Sequence, residues 1–427
     1  MPPRLLPDVQ RARGDRRWTV GLLLSSEASR LTGVLVGSAG RGAGLRTEIA
    51  GCLSVAVSSA TTGLFAALKG EGMSAEGSPC GRIAALRSQL AEVEAALVAD
   101  LLGEARLSPA QLLAVGVHDP GLWSTGKAAT GYLGLCDPAR LAELTGQNII
   151  DGFPSRDLAA GGMGGPVTAI PAGLLLRVPR QSRWILDLGR TIHATYVPPE
   201  AIAGPSGRYL AFDVGPGLRI LDLLTQKLTG GEHRFDPGGR LAVQGKRIPE
   251  LIEHWLADPF FKTPLPRWYP LGVRPERFLM EATRMAVERG WSVRDLLCTA
   301  THFLAESVAE TFTRRLPADF AVDEILLTGG GQQNGMLLRE IAARMPQTPI
   351  RRVNERGLTA ETLEPAAVAI LALFHLDQIT ASHPAITGAE TFRVLGRLTP
   401  GSPQSWQRLL AEFAASRPEV RPLRSAL

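Results

Sequence analysis

Glu324-Ile325-Leu326-Leu327-Thr328-Gly329-Gly330-Gly331-Gln332-Gln333-Asn334 reads as an apolar strand, a glycine turn and the start of a helix running to about Met345. The same order recurs outward from it. Leu210–Val214 is a strand entering the turn Gly215-Pro216-Gly217, and a helix follows over about 218–228. Arg183–Tyr196 is a strand-like apolar run carrying a glycine, and Glu364–Leu376 a last apolar helix of the second half. In the first half, Thr19–Ser25 and Leu31–Val36 read as a hairpin, with further strands at Glu48–Ser58, Ala114–Val117 and Asn148–Asp151. Ile83, Leu86, Leu90, Val93 and Leu97 recur at helical spacing. Strands lead into helices in both halves, so the class is α/β.

The chain has 427 residues, 45% hydrophobic and 20% charged, which suffices for two domains with their own cores. Its net charge of +5 comes from scattered arginines without a basic stripe, which argues against nucleic acid and leaves anionic small ligands open. Cys52, Cys80, Cys136 and Cys298 form no CxxC pair, which fits a reducing cytoplasm and argues against structural zinc; no metal ligands are assigned. Met1–Arg17 is basic without an apolar core, so no signal peptide is expected, and no apolar run is long enough for a membrane span.

The densest glycine segment is Ser155-Arg156-Asp157-Leu158-Ala159-Ala160-Gly161-Gly162-Met163-Gly164-Gly165-Pro166. Glycines let backbone approach a ligand closely, and a carboxylate beside them suits a general base; a plain surface loop is the alternative. The Gly329–Gly331 turn suits phosphate or the face of a base, or is a tight turn with no ligand. Asp213 reads either as a ligand or metal contact or as a helix cap. His118 is structural or ligand-facing. Trp268-Tyr269 reads as a sugar platform or a hydrophobic anchor.

Taken in order, these motifs resemble the anhydro-N-acetylmuramic acid kinase family. Asp157 with Ala159-Ala160-Gly161-Gly162-x-Gly164-x-Pro166 is similar to the family's DxAAGGxGAP. The likeness continues through Phe212-Asp213-x-Gly215-Pro216-Gly217 with Asp222, Asp236-x-x-Gly239 with Gly245, and Gly329-Gly330-Gly331-x-x-Asn334. Gly357 with Glu364, Thr387-Gly388-Ala389 and Leu395-Gly396 complete it. The resemblance implies two RNase H-like domains of the actin/hexokinase/Hsp70 type around a central cleft, over 18–178 and 183–400, followed by a helix and tail over 401–427. It implies ATP with Mg²⁺, phosphorylation of O6 of 1,6-anhydro-N-acetylmuramic acid as water opens the anhydro bridge, a place in cytoplasmic peptidoglycan recycling, and a homodimer. Asp157 matches the base; Gly215, Gly217, Gly329, Gly330, Gly331 and Asn334 match nucleotide-binding positions; His118, Gly161 and Gly162 match substrate-side positions.

The departures cluster at ligand contacts. The family's GLMSGTSLDG appears as Gly21-Leu22-Leu23-Leu24-Ser25-Ser26-Glu27-Ala28-Ser29-Arg30, so the phosphate loop becomes Ser25, Ser26 and Glu27. A carboxylate about 4 Å from a phosphate charge costs about 4 kcal/mol at an effective dielectric near 20. The family's NIGGIANIT appears as Asp187-Leu188-Gly189-Arg190-Thr191-Ile192-His193-Ala194-Thr195, with Arg190 where a glycine let backbone approach. Its SHGQT keeps only His118, its DFR becomes Gly152-Phe153-Pro154, its GPGN turn ends in Leu218, and its KSTG becomes Arg267-Trp268-Tyr269-Pro270. Three readings stay open: the family's kinase with remodelled phosphate contacts, a catalytically impaired pseudokinase that binds sugar or a protein partner, and a superfamily kinase of another small substrate.

Overall fold

The computed structural model describes residues 16–70, 78–125, 130–200, 208–268 and 276–415. The chain folds into two compact units, one of 1–171, 364–382 and 392–427, the other of 172–363 and 383–391.

In the first unit β1 (Arg17–Leu24), β2 (Arg30–Ala39) and β3 (Arg46–Ala56) form an antiparallel meander, and β4 (Leu112–His118) joins β1 in parallel. A short hairpin of β5 (Leu122–Thr125) and β6 (Thr130–Leu133) follows, then β7 (Ile149–Asp151), parallel to β4. The sheet order is β3-β2-β1-β4-β7, closed by an antiparallel edge strand, Arg397–Thr399. The crossover before β4 is the helix Pro79–Ala105, begun by the Ser78 side chain, which accepts from the Gly81 amide, and by Pro79 in its first turn. Its Leu86, Leu90, Leu97 and Leu101 pack on Leu22, Leu35 and Val115. Between them on this buried face lies Glu94, neither of whose carboxylate oxygens has a hydrogen-bond partner.

The second unit repeats the plan. Here β8 (Arg183–Leu188), β9 (Thr191–Val197) and β10 (Ala211–Pro216) form the meander, and β11 (Glu324–Thr328) and β12 (Ile350–Arg352) add in parallel, giving β10-β9-β8-β11-β12. The run Arg183–Tyr196 is therefore a hairpin and not one strand: Gly189 and Arg190 make its turn. Trp184 anchors the core, its ring 5.2–5.6 Å from Tyr196, Phe212 and Phe312. Each unit is thus a meander extended by two parallel strands on the far side of its first strand, the RNase H-like order.

The helix Ala360–Leu376 departs from expectation. Its periodicity marks a buried helix of the second half, yet from Glu364 onward it belongs to the first unit. Gly21 of β1 is the reason. A Cβ there would overlap the Pro365 carbonyl oxygen and lie 2.5 Å from the Ala369 amide nitrogen, while Thr19 Oγ1 donates to the Ala369 carbonyl at 3.3 Å. Apolar periodicity specifies which face of a helix is buried and is silent on which sheet buries it. The helix Pro403–Ala415 also belongs to the first unit.

Candidate active site

Asp157 stands at the end of the short helix Phe153–Leu158 that follows β7, and its side chain is wholly buried. The chain then folds back on it: the Ala160 and Gly162 amides both donate to the Asp157 carbonyl, at 2.9 and 3.0 Å. Gly164, at φ +80°, points its amide at Asp157 Oδ2, 2.8 Å away. A Cβ on Gly162 would fall on the carboxylate, which is the steric reason for glycine there. The other oxygen, Oδ1, accepts from the Ser382 hydroxyl at 2.6 Å. Each carboxylate oxygen so held keeps a lone pair for one further donor.

Ser382 escapes sequence reading because it lies 225 positions from Asp157 and carries no motif. Trp123 likewise carries no sequence signal. Its ring lies where a Cβ on Gly164 would be, 2.7 Å from it, stands edge-on to Tyr132 at 4.9 Å between centroids, and remains 37% exposed. His118 ends β4 with a buried Nδ1 that has no hydrogen-bond partner; burial pulls its pKa down, opposed by Asp119. Asp119 itself accepts from Gly121 N, Tyr132 Oη and Cys136 N, at 2.8, 2.9 and 3.1 Å.

Ser25 organises the β1–β2 turn. Ser25 Oγ accepts from the Ser29 and Arg30 amides at 3.1 Å each, the Ser25 amide donates to Arg30 O, and the Ala28 amide to Ser25 O. The serine in place of the family's glycine thus draws in amides that an open loop would offer to phosphate.

In the second unit the three glycine turns come together. Gly217 N donates to Arg190 O and Leu218 N to Gly189 O, both at 2.9 Å, so the β10 turn is zipped to the β8–β9 turn. Gly217 is obligatory, since a Cβ there would overlap the Gly189 carbonyl oxygen and lie 2.7 Å from that of Arg190. Gly329, at φ +76°, lies against Asp187 Oδ1 and the Leu188 backbone, and Gly331 against Leu188. Burial pushes Asp187 up to about 6, opposed by His193; it also pushes Asp222 up to about 6, opposed by Arg219 and Arg190.

Other expected contacts resolve differently. Asp213 does not cap the next helix; its Oδ1 meets His193 Nδ1 at 2.9 Å, and that helix begins at Gly217 with no side-chain cap. Asn334 is itself a cap, accepting from Leu337 N at 3.0 Å, and the helix it starts spans Gly335–Arg344. Trp268 is an anchor: its indole donates to Ile386 O at 3.2 Å beside Gly388. Tyr269 lies outside the described residues. Among these residues no cluster of three or more His, Cys, Asp or Glu could hold a metal, and no helix is long and apolar enough to cross a membrane.

Two RNase H-like sheets, one bearing a buried carboxylate on a glycine loop and the other an array of glycine turns, define a protein of the sugar-kinase/actin/Hsp70 class. The family model described as anhydro-N-acetylmuramic acid kinase matches residues 73–401. The anhydro-N-acetylmuramic acid kinase of Bordetella pertussis is 32% identical over 386 residues, 90% of this chain and 96% of its own. That of Acaryochloris marina is 29% identical over 387 residues, 89% and 98% of the two chains. That of Crocosphaera subtropica is 33% identical over 258 residues, 60% and 67% of the two chains. The chain belongs to the anhydro-N-acetylmuramic acid kinase family.

Proposed function

We propose that this chain opens and phosphorylates 1,6-anhydro-N-acetylmuramic acid with MgATP as second substrate. The carboxylate of Asp157, fixed by Gly164 N–H and the Ser382 hydroxyl, is the observation that supports it most directly. Water adds to C1, the C1–O6 bond breaks, O6 takes the γ-phosphoryl group and ADP departs. The proton released by the water goes to Asp157, through a lone pair not used by Gly164 or Ser382. Because the carboxylate is closed off from bulk solvent, the loop 161–165 has to move for a water to reach it, and its glycines permit that. His118 Nδ1, buried and without a partner, is the group of β4 left for the sugar.

On the nucleotide side we assign Gly217, Gly329 and Gly331 to packing around the β8–β9 turn, with Gly215 against Phe261 and Gly330 against Leu218, and Arg190, where the family has a glycine, to the phosphates as a side-chain ligand. A calorimetric titration with MgATP, followed by a coupled ADP assay with the anhydro sugar, tests it. Micromolar to low-millimolar binding with sugar-dependent ADP release is expected. A flat titration of folded protein would overturn it and leave a clamp without phosphoryl transfer.

A further inference from the structure

At the opposite end of the same strands of the first unit's sheet lies a cavity of about 170 Å³. It is bounded by the start of β7, by Pro109 and Ala110 just before β4, and by the first turns of the helix Pro403–Ala415. Asp157 follows the C-terminal end of β7, whereas this cavity adjoins its N-terminal end, so the two are separate places. The rim is firmly built. Asn148, wholly buried, donates through Nδ2 to Leu113 O, Ser405 O and Ser405 Oγ at 3.0–3.2 Å, and accepts from Gly401 N at 3.0 Å. Ser402 N donates to Gly146 O at 3.0 Å.

Two side chains on its wall are unsatisfied. Arg408 has its Nε and both terminal nitrogens buried with no hydrogen-bond partner. Arginines ordinarily bury the stem and keep the guanidinium wet; here the residue is partly exposed and its charged end is the part shut away. Its pKa is lowered by burial, with no acidic neighbour opposing, and no carboxylate lines the cavity. Gln147 is 4% exposed; its Nε2 donates to Pro109 O at 3.0 Å, while its buried Oε1 has no partner. The wall thus holds a multiply donating cation, an idle acceptor and the positive end of a 13-residue helix.

We propose that this cavity is a binding site for a phosphate group, with Arg408 turning its guanidinium onto two phosphate oxygens and Gln147 Oε1 accepting from the protonated or hydroxyl-bearing side of the ligand. The volume admits the phosphate headgroup. The acceptor separates phosphate from sulfate, which offers no hydrogen at neutral pH. Free phosphate and the phosphoryl group of a metabolite share this chemistry.

The test is thermal unfolding of the full chain at constant ionic strength, titrated with inorganic phosphate, sulfate or glucose 6-phosphate. Wild type is expected to gain about 2 °C or more at tenfold the phosphate Kd, with less from sulfate. Arg408→Met is expected to lose that gain. A gain with phosphate alone identifies the free ion, and one with the ester as well a metabolite headgroup. Equal responses of wild type and Arg408→Met, or none from either, would overturn the site. Should Arg408→Met fail to fold, Gln147→Glu serves: its built-in carboxylate should raise the melting temperature without phosphate and flatten the titration. An undiminished phosphate response in Gln147→Glu would overturn the proposal.

Discussion

In the first unit the loop after β7 is organised around a side chain: backbone and hydroxyl donors close on the two oxygens of Asp157. In the second unit the turns after β8, β10 and β11 are organised around one another, with amides of Gly217 and Leu218 on the carbonyls of Arg190 and Gly189 and Gly329 against Asp187. The same five-strand plan therefore carries a fixed side-chain carboxylate in one copy and a scaffold of backbone in the other. A single atom changed in the first loop should alter reaction rate and spare the fold. A single Cβ added to the second should lower the stability of the fold and reach the ligand only through that loss.

Asp157→Asn is the largest expected effect and the sharpest test of that contrast. The Ser382 hydroxyl can rotate to accept from the new amide while the remaining oxygen keeps the Gly164 contact, so the loop should hold. Loss of a general base lowers turnover by about 10²- to 10⁴-fold. Steady-state kinetics beside a melting curve decide it: a variant that keeps its rate removes Asp157 from the chemistry, and one that unfolds makes the carboxylate a structural clasp.

Buried carboxylates extend the comparison to stability. Glu324 of the second unit is neutralised by Arg183, Arg351 and Arg356. Glu94 of the first has no hydrogen-bond partner, and burial, with Asp119, Asp151 and Asp137 nearby, pushes it from 4.5 up to about 8. The folded state thus keeps a proton that the unfolded chain releases, so stability is undiminished below pH 4.5, falls as pH rises towards 8, and is flat above. The span amounts to about 5 kcal/mol at most. Glu94→Gln should remove most of that fall, measured as the difference in denaturant midpoint between about pH 5 and about pH 9. An unchanged difference would show that Glu94 finds a partner in solution.

Gly329→Ala comes next. The residue sits at φ +76°, and its new Cβ would overlap Asp187 Oδ1 and lie 2.9 Å from the Leu188 carbonyl carbon. Strain of this kind costs about 1–3 kcal/mol, read as a lower melting temperature together with weaker MgATP binding. Weaker binding without loss of stability would mean that the turn meets nucleotide directly and is more than scaffold.

How far the sequence foretells all this follows the same division. The Asp157 loop is legible because four glycines fall within five residues and its carboxylate lies just before them, and the turns at Gly217 and Gly329 are legible as strand-to-helix turns. Their mutual packing is not, since glycine demanded by a neighbouring carbonyl looks the same as glycine demanded by a phosphate. Periodicity finds the helix Ala360–Leu376 and misassigns its sheet, because only the open surface of Gly21 selects it. Ser382 and Arg408 are isolated polar residues whose meaning comes from neighbours distant in the chain.

Ser382→Ala is the smallest effect and the most discriminating. It deletes one hydroxyl from Oδ1 and leaves Gly164 on Oδ2, so the carboxylate remains but loses half of its fixation. A hydrogen bond to a charged group contributes about 1.5–3 kcal/mol, and since the freed oxygen can still take a water as a new partner, the lower end applies, about tenfold in kcat. If Ser382 acts by aiming Asp157, the loss should fall on kcat with KM for the sugar unchanged, and Ser382→Thr, which keeps the hydroxyl, should recover most of it. If Ser382 only closes the loop, Ser382→Ala should instead lower the melting temperature and raise KM, and the side-chain device of the first unit would shrink to Asp157 and its glycines.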